Sequence, residues 1–175
     1  NPVFVSVYVC GCFFWRTTPE IPTNVHTFLI CRYGKVADFE LRCEFRIDGG
    51  NSGIQYRSEE LPDQKWVIRG YQADFDDKGV WTGSLYEEKG RGVLAKRGSK
   101  VRIPAGGKPE VVGTTAREEE ILAKVKPGDW NEYVIIADGN HLVQKLNCIT
   151  TVDLIDEDGN VLTGLTVAQV QALIA

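Results

Sequence analysis

Several side chains capable of recognising a polar ligand recur at every second position of this 175-residue chain. Gln55 and Arg57 follow the turn GGNSG in GGNSGIQYRS, Gln72, Asp74 and Asp76 alternate in RGYQADFDD, and Glu87 follows in SLYEEKG. Amides both donate and accept hydrogen bonds, and guanidinium and carboxylate groups make forked, charge-assisted ones. That set suits the hydroxyls and carbonyls of a sugar, although solvated sheet surface is the commoner fate of such residues. Asn51 lies in the turn itself, and Trp66, Trp81, Tyr86 and Trp130 offer stacking faces or simply fill a core. Histidine is the side-chain type suited to acid–base work near neutral pH, which makes His141, after the turn DGN, the first candidate for a general base. A histidine beside a turn is also commonly a plain surface residue. Asp74 and Glu87 are the alternative acid/base groups. Arg57 is the candidate clamp for a carbonyl or oxyanion, with Asn51, Gln55, Gln72, Tyr86 and Trp81 as binding groups. Asp74, Glu87 and His141 are donor types that suit several divalent metals, but no spacing demands a metal or any other cofactor.

Alternation of this kind needs strands to position it. DFELRCEFRI puts Phe39, Leu41, Cys43, Phe45 and Ile47 on one face and charged residues on the other, the pattern of a half-buried antiparallel strand. GIQYRS continues with Ile54 and Tyr56 inward, so Gln55 and Arg57 share the opposite face. WVIRGYQADFD places Tyr71, Ala73 and Phe75 inward and Gln72, Asp74 and Asp76 outward. In VWTGSLYEE the outward residue is Thr82 or Glu87, depending on register. TFLICR, GVLAKR, KVRI and TTVDLID read as further strands. NEYVIIAD and HLVQKLN form a hairpin through Asp138-Gly139-Asn140. TTAREEEILAKVK reads as a short helix, with Thr115 and Glu118 as a capping box and Pro127-Gly128 beyond its end. LTVAQVQALIA is helix-like as well, with Thr166 as a candidate N-cap. Many short strands without a βαβ rhythm predict an all-β sandwich or jelly roll of antiparallel strands in a single domain over residues 1–175.

An apolar content of 43% and a charged content of 25% fit a soluble globular protein. The net charge of −4 provides no general attraction to nucleic acid or to an anionic membrane. The basic stretch RGVLAKRGSK has Glu87 and Glu88 close by and reads as a solvated loop or strand end. Cys10, Cys12, Cys31, Cys43 and Cys148 are odd in number and lack zinc spacing, which predicts mostly reduced, structural thiols. The opening run VFVSVYVCGCFFW is too short and too β-branched for a membrane span and reads as a buried or edge strand. It has neither the basic start nor the cleavage site of a clear signal peptide. His26 is assigned no role.

DFELRCEFRI-DGGNSGIQYRS, RGYQADFDD, WTGSLYEEKGRGVLAKRG and GDWNEYVIIADGNHLVQKLN occur in this order. Together they resemble the 3-keto-disaccharide hydrolase domain family over about Thr27 to Asp158. The resemblance implies a concanavalin A-like/laminin G-like jelly roll. It further implies a carbohydrate substrate, cleavage of glycosides oxidised at sugar carbon 3, and a bacterial protein of the periplasm or the cell exterior. A ketone at carbon 3 acidifies the proton on carbon 2, so a base forms an enolate that expels the oxygen on carbon 1. The alternatives are a lectin-like module that binds sugar without catalysis and an inactive fragment of the family. Past Asp158 the chain departs from the family pattern, and Cys148 stands where that pattern tends to have glycine, which predicts strain in the turn. On the catalytic reading, Arg57→Ala removes turnover or sugar binding with little change in melting temperature.

Overall fold

A computed structural model describes residues 4–9, 37–64 and 67–158 of the chain. The alternating stretch DFELRCEFRI forms β2 (Phe39–Asp48), paired on one side with β1 (Phe4–Val9), so the apolar opening run supplies an edge strand. Beyond them in the same seven-stranded sheet lie β9 (Asn131–Asp138), β10 (His141–Leu146), β11 (Ile149–Asp156), β7 (Ser99–Ile103) and β8 (Glu110–Thr114). A four-stranded sheet holds β3 (Asn51–Glu60), β4 (Ile68–Asp76), β5 (Leu85–Glu88) and β6 (Gly92–Ala95), in that order. All pairings are antiparallel except β11 with β7. The architecture is the expected all-β jelly-roll sandwich.

The two sheets meet through their apolar faces. Cys43, Phe45 and Ile47 of β2, Tyr71, Ala73 and Phe75 of β4, Leu85 of β5, and Tyr133, Ile135 and Ala137 of β9 belong to one buried cluster. Phe45 stacks on Phe75 at 4.0 Å between ring centroids, which joins the sheets directly. The chain crosses from β2 to β3 through only Gly49 and Gly50, at φ 88° and 83°. Both angles lie where side-chain-bearing residues are disfavoured, so the glycine pair makes a corner between sheets that few other residues would allow. Cys43 is buried as the apolar face required, and burial pushes its thiol up to about 12.

Several boundaries differ from the sequence expectation. VWTGSLYEE yields a strand only over Leu85–Glu88, because the Asp76 carboxylate accepts from the amides of Val80, Trp81 and Thr82 and folds that segment into a loop. The helix is restricted to α1 (Glu118–Leu122), with Arg117 rather than Thr115 as N-cap. The Arg117 amide donates to Glu120, while Thr115 is held to Gly98 by its own amide. EVVGT, given no assignment from its pattern, forms the edge strand β8. TFLICR, the C-terminal helix-like stretch, Trp66, His26, Cys10, Cys12 and Cys31 lie outside the described residues.

Both hairpins around β10 have two-residue loops. Gly139-Asn140 joins β9 to β10, as the DGN signal predicted. Asn147-Cys148 joins β10 to β11 with φ 45° and 69°, the pair of positive angles of a type I′ turn. Asparagine tolerates that conformation and cysteine does not, so the strain expected at Cys148 is present in the backbone. Cys148→Gly is therefore expected to stabilise the fold by about 0.5–1 kcal/mol after allowing for the greater freedom of glycine in the unfolded chain. A thermal melt tests this: the midpoint should rise by about 1–3 °C, and a lowered midpoint would contradict the turn assignment.

Candidate functional site

Core packing of β4 decides which side chains face away. With Tyr71, Ala73 and Phe75 inward, Gln72, Asp74 and Asp76 project from the outer face of the four-stranded sheet. Residues paired across neighbouring strands share a face. Asn51 is opposite Asp76, Gly53 opposite Asp74, and Gln55 opposite Gln72. On the other side of β4, Tyr86 is opposite Gln72 and Glu88 is opposite Gly70. Asn51, Gln55, Gln72, Asp74 and Tyr86 are thus gathered on one face. Alternation predicted Gln55, Gln72 and Asp74 there, while Tyr86 and Glu88 take the place expected of Thr82 or Glu87. Trp81 stands 42% exposed on the β4–β5 loop that Asp76 holds in place.

A run of hydrogen bonds crosses this face. Ser58 Oγ lies 3.2 Å from Gln55 Oε1, Gln55 Nε2 donates to Gln72 Oε1 at 2.7 Å, and Gln72 Nε2 donates to Asp74 Oδ1 at 2.5 Å. The amide orientations follow from the end point, since a carboxylate accepts and so must meet the Gln72 nitrogen. Gly53 lets Gln72 lie flat over the neighbouring strand: a Cβ there would collide with Gln72 Cγ, Cδ and Nε2.

Three expected site residues stand elsewhere. Arg57 does not share a face with Gln55. The β3–β4 register skips between Tyr56 and Glu59, where β3 carries one extra residue, and Arg57 sits in that bulge at φ 46°. Its guanidinium, 2% exposed, donates to the carbonyls of Ala37 and Gly139 at 2.7 and 2.6 Å and to Asp38 at 3.0 Å. It therefore ties the β3 bulge to the approach to β2 and to the β9–β10 turn. Glu87 is opposite Tyr71 and so points inward. It accepts from Arg91 Nε at 2.7 Å, and Arg91 together with the Tyr71 hydroxyl binds Asp156. His141 belongs to the seven-stranded sheet, where it is exposed and lies 2.7 Å from Asp153. Trp130 packs under the Arg46 guanidinium at 5.9 Å; Arg46 alternates with core residues Phe45 and Ile47 on the outer side of that same sheet.

A family model described as the 3-keto-alpha-glucoside-1,2-lyase-like domain matches residues 11–169. The chain belongs to this family. No curated protein matches it. The match runs past the Thr27–Asp158 span of the sequence resemblance at both ends. Membership in the lyase-like family points to a carbohydrate-related function.

Within this lyase-like domain, Asp74 has the most unusual environment on the outer face. Burial pushes its carboxyl up to about 6; the Gln72 hydrogen bond opposes that shift, and the neighbouring Asp76 and Glu88 charges add to it. Asp76 behaves in the opposite way, because the backbone amides and Thr82 outweigh its burial and hold it below the usual carboxylate range. The two carboxylates two residues apart are thereby separated, one close to neutrality and one firmly ionised. Asp156 also stays below the usual range, since Arg91 and Tyr71 outweigh its burial. The metal set Asp74, Glu87 and His141 does not converge: one faces outward, one inward, and one belongs to the other sheet. No cluster of three His, Cys, Asp or Glu side chains suited to a metal occurs among the described residues. No helix among the described residues is long and apolar enough to cross a membrane.

Glu88 was missed because LYEE admits two registers, and only the burial of Leu85 against Ala73 selects the one that turns Tyr86 and Glu88 outward. The bulge at Arg57 has no comparable signal in the sequence. It does have a measurable consequence that reverses the expected behaviour of Arg57→Ala. Deleting a buried guanidinium that serves two carbonyls and a carboxylate should destabilise the domain by roughly 2–4 kcal/mol. Chemical denaturation measures it, and an unchanged midpoint would show that the anchor is dispensable.

Proposed function

We propose that this domain cleaves 3-keto-glycosides by elimination across carbons 1 and 2, with Asp74 as the base. The observation that carries the reading is a buried carboxyl shifted to about 6 on a face of amides and a phenol, in a chain of the lyase-like family. A base acts best when its pKa lies near the working pH, and an ordinary aspartate is too weak. Asp74 Oδ1 is held by Gln72, and Oδ2 accepts no hydrogen bond among the described residues. Oδ2 takes the proton from carbon 2. The C–H electron pair forms the enolate of the carbon 3 ketone, and its collapse breaks the bond from carbon 1 to the leaving oxygen. The departing alkoxide takes up a proton, which Asp74 can return, and an enone remains to which water can add. Tyr86, whose hydroxyl makes no hydrogen bond among the described residues, serves as a donor to the developing oxyanion. The second N–H groups of Gln55 and Gln72, Asn51, and the carboxylate of Glu88 suit the sugar hydroxyls, and Trp81 offers an exposed ring at the rim.

Incubation with a 3-keto-glucoside, followed by mass spectrometry of the released aglycone and the enone or its hydrate, tests the reading. Asp74→Asn should lower turnover by about 10²–10⁴-fold. The acid limb of kcat/KM should fall near pH 6, because protonation below that value removes the base. Stability runs the other way. The folded carboxyl holds its proton more tightly than the unfolded one, so Asp74 destabilises the fold as pH rises from about 4 to about 6. Asp74→Asn should therefore leave the melting midpoint at pH 7 unchanged or higher. Wild-type turnover in Asp74→Asn would sink the assignment, and sugar binding without any turnover would mark the domain as a carbohydrate-binding module.

A further inference from the structure

We propose that Gln72, locked by Gln55 over the bare Cα of Gly53, is a positioning residue that holds Asp74 Oδ1 and leaves Oδ2 for the substrate. The inference rests on the elimination reading of Asp74. Gln72 touches the carboxylate and the neighbouring strand β3: its nitrogen meets Asp74 at 2.5 Å, its oxygen accepts from Gln55 at 2.7 Å, and its stem occupies the space a side chain at position 53 would need. Neither amide of the pair can flip alone. Turning Gln72 would present its oxygen to the carboxylate and its nitrogen to the Gln55 nitrogen, breaking both bonds at once. Ser58 Oγ, within reach of Gln55 Oε1 and of the Tyr56 carbonyl, closes the far end.

The groups around Asp74 make this single hydrogen bond matter. Asp76 on the same strand and Glu88 on β5 are both acidic. β3 contributes only Gly53 directly opposite, and from β9 the Tyr133 hydroxyl donates to the Asp74 backbone carbonyl, not to its side chain. Gln72 is thus the one side-chain donor to the carboxylate among the described residues. Loss of its bond should make the carboxyl harder to ionise and free to rotate.

Two variants loosen Gln72 without altering it or Asp74. Gly53→Ala drives its stem off β3, where φ is compatible with alanine. Gln55→Met removes the donor to its oxygen, and it decides the matter if Gly53→Ala fails to fold. The Asp74 carboxyl is followed by ¹³C NMR titration, assigned by difference from Asp74→Asn, and kcat/KM for the 3-keto-glucoside is measured across pH. Both titration and acid limb should move upward together by about one pH unit, while melting midpoints stay near wild type. An unmoved carboxyl titration in the folded variants overturns the inference even if the wild type is active. A shifted titration in a protein that shows no turnover, or with an unmoved acid limb, supports the Gln72 contact and rejects Asp74 as the base instead.

Discussion

Phe45 and Phe75 stack at the centre of the sandwich, and most of the site's geometry follows from that contact. Holding Phe75 inward fixes the alternation of β4, so Tyr71 and Ala73 must also face the core and Gln72 and Asp74 must face away. Pairing then carries the choice sideways, to Gln55 on β3 and to Tyr86 and Glu88 on β5. A slip of one residue in β4 would turn two carboxylates, Asp74 and Asp76, toward the core and expose two aromatic rings. The apolar contact therefore acts on polar residues it never touches.

The outer face is polar without being fully solvated. Asp74 is only 5% exposed, yet one amide is its sole side-chain donor among the described residues. Burial and two nearby carboxylates oppose its charge, and Gln72 alone favours it. This is an expensive arrangement for stability and a useful one for proton transfer, since the carboxyl then titrates close to neutrality. Elsewhere the fold satisfies its buried charges amply. Asp76 accepts from a whole loop, and Asp156 accepts from Arg91 and Tyr71. The contrast between those carboxylates and Asp74 separates structural from chemical use more clearly than residue type does.

Charged residues that resemble a reaction centre in one dimension serve other ends in three. Arg57 fastens a bulge to two loops of the opposite sheet, and Glu87 closes an ion cluster at the margin of the core. His141 pairs with Asp153 on the far sheet, where Lys100 approaches the same carboxylate at 3.3 Å. Arg57 and Glu87 are well partnered, which is the common state of buried charge, and His141 is paired although exposed.

Alternation in the sequence by itself determined the sandwich class, the inward set Phe45, Tyr71, Ala73 and Phe75, and the outward set Gln55, Gln72 and Asp74, because side chains of a strand alternate with a period of two wherever pairing is regular. The glycine pair and the DGN turn were equally legible, since backbone sterics act locally. Tertiary structure decided the rest. The extra residue at Arg57 breaks the period, and nothing local announces it, because a bulge is a mismatch between two strands. The choice between Glu87 and Glu88 depends on which face of LYEE finds the core. Whether β3 and β10 lie in one sheet or in two, and hence whether His141 can meet Asp74, depends on contacts between residues distant in the chain, which periodicity along a single strand does not encode.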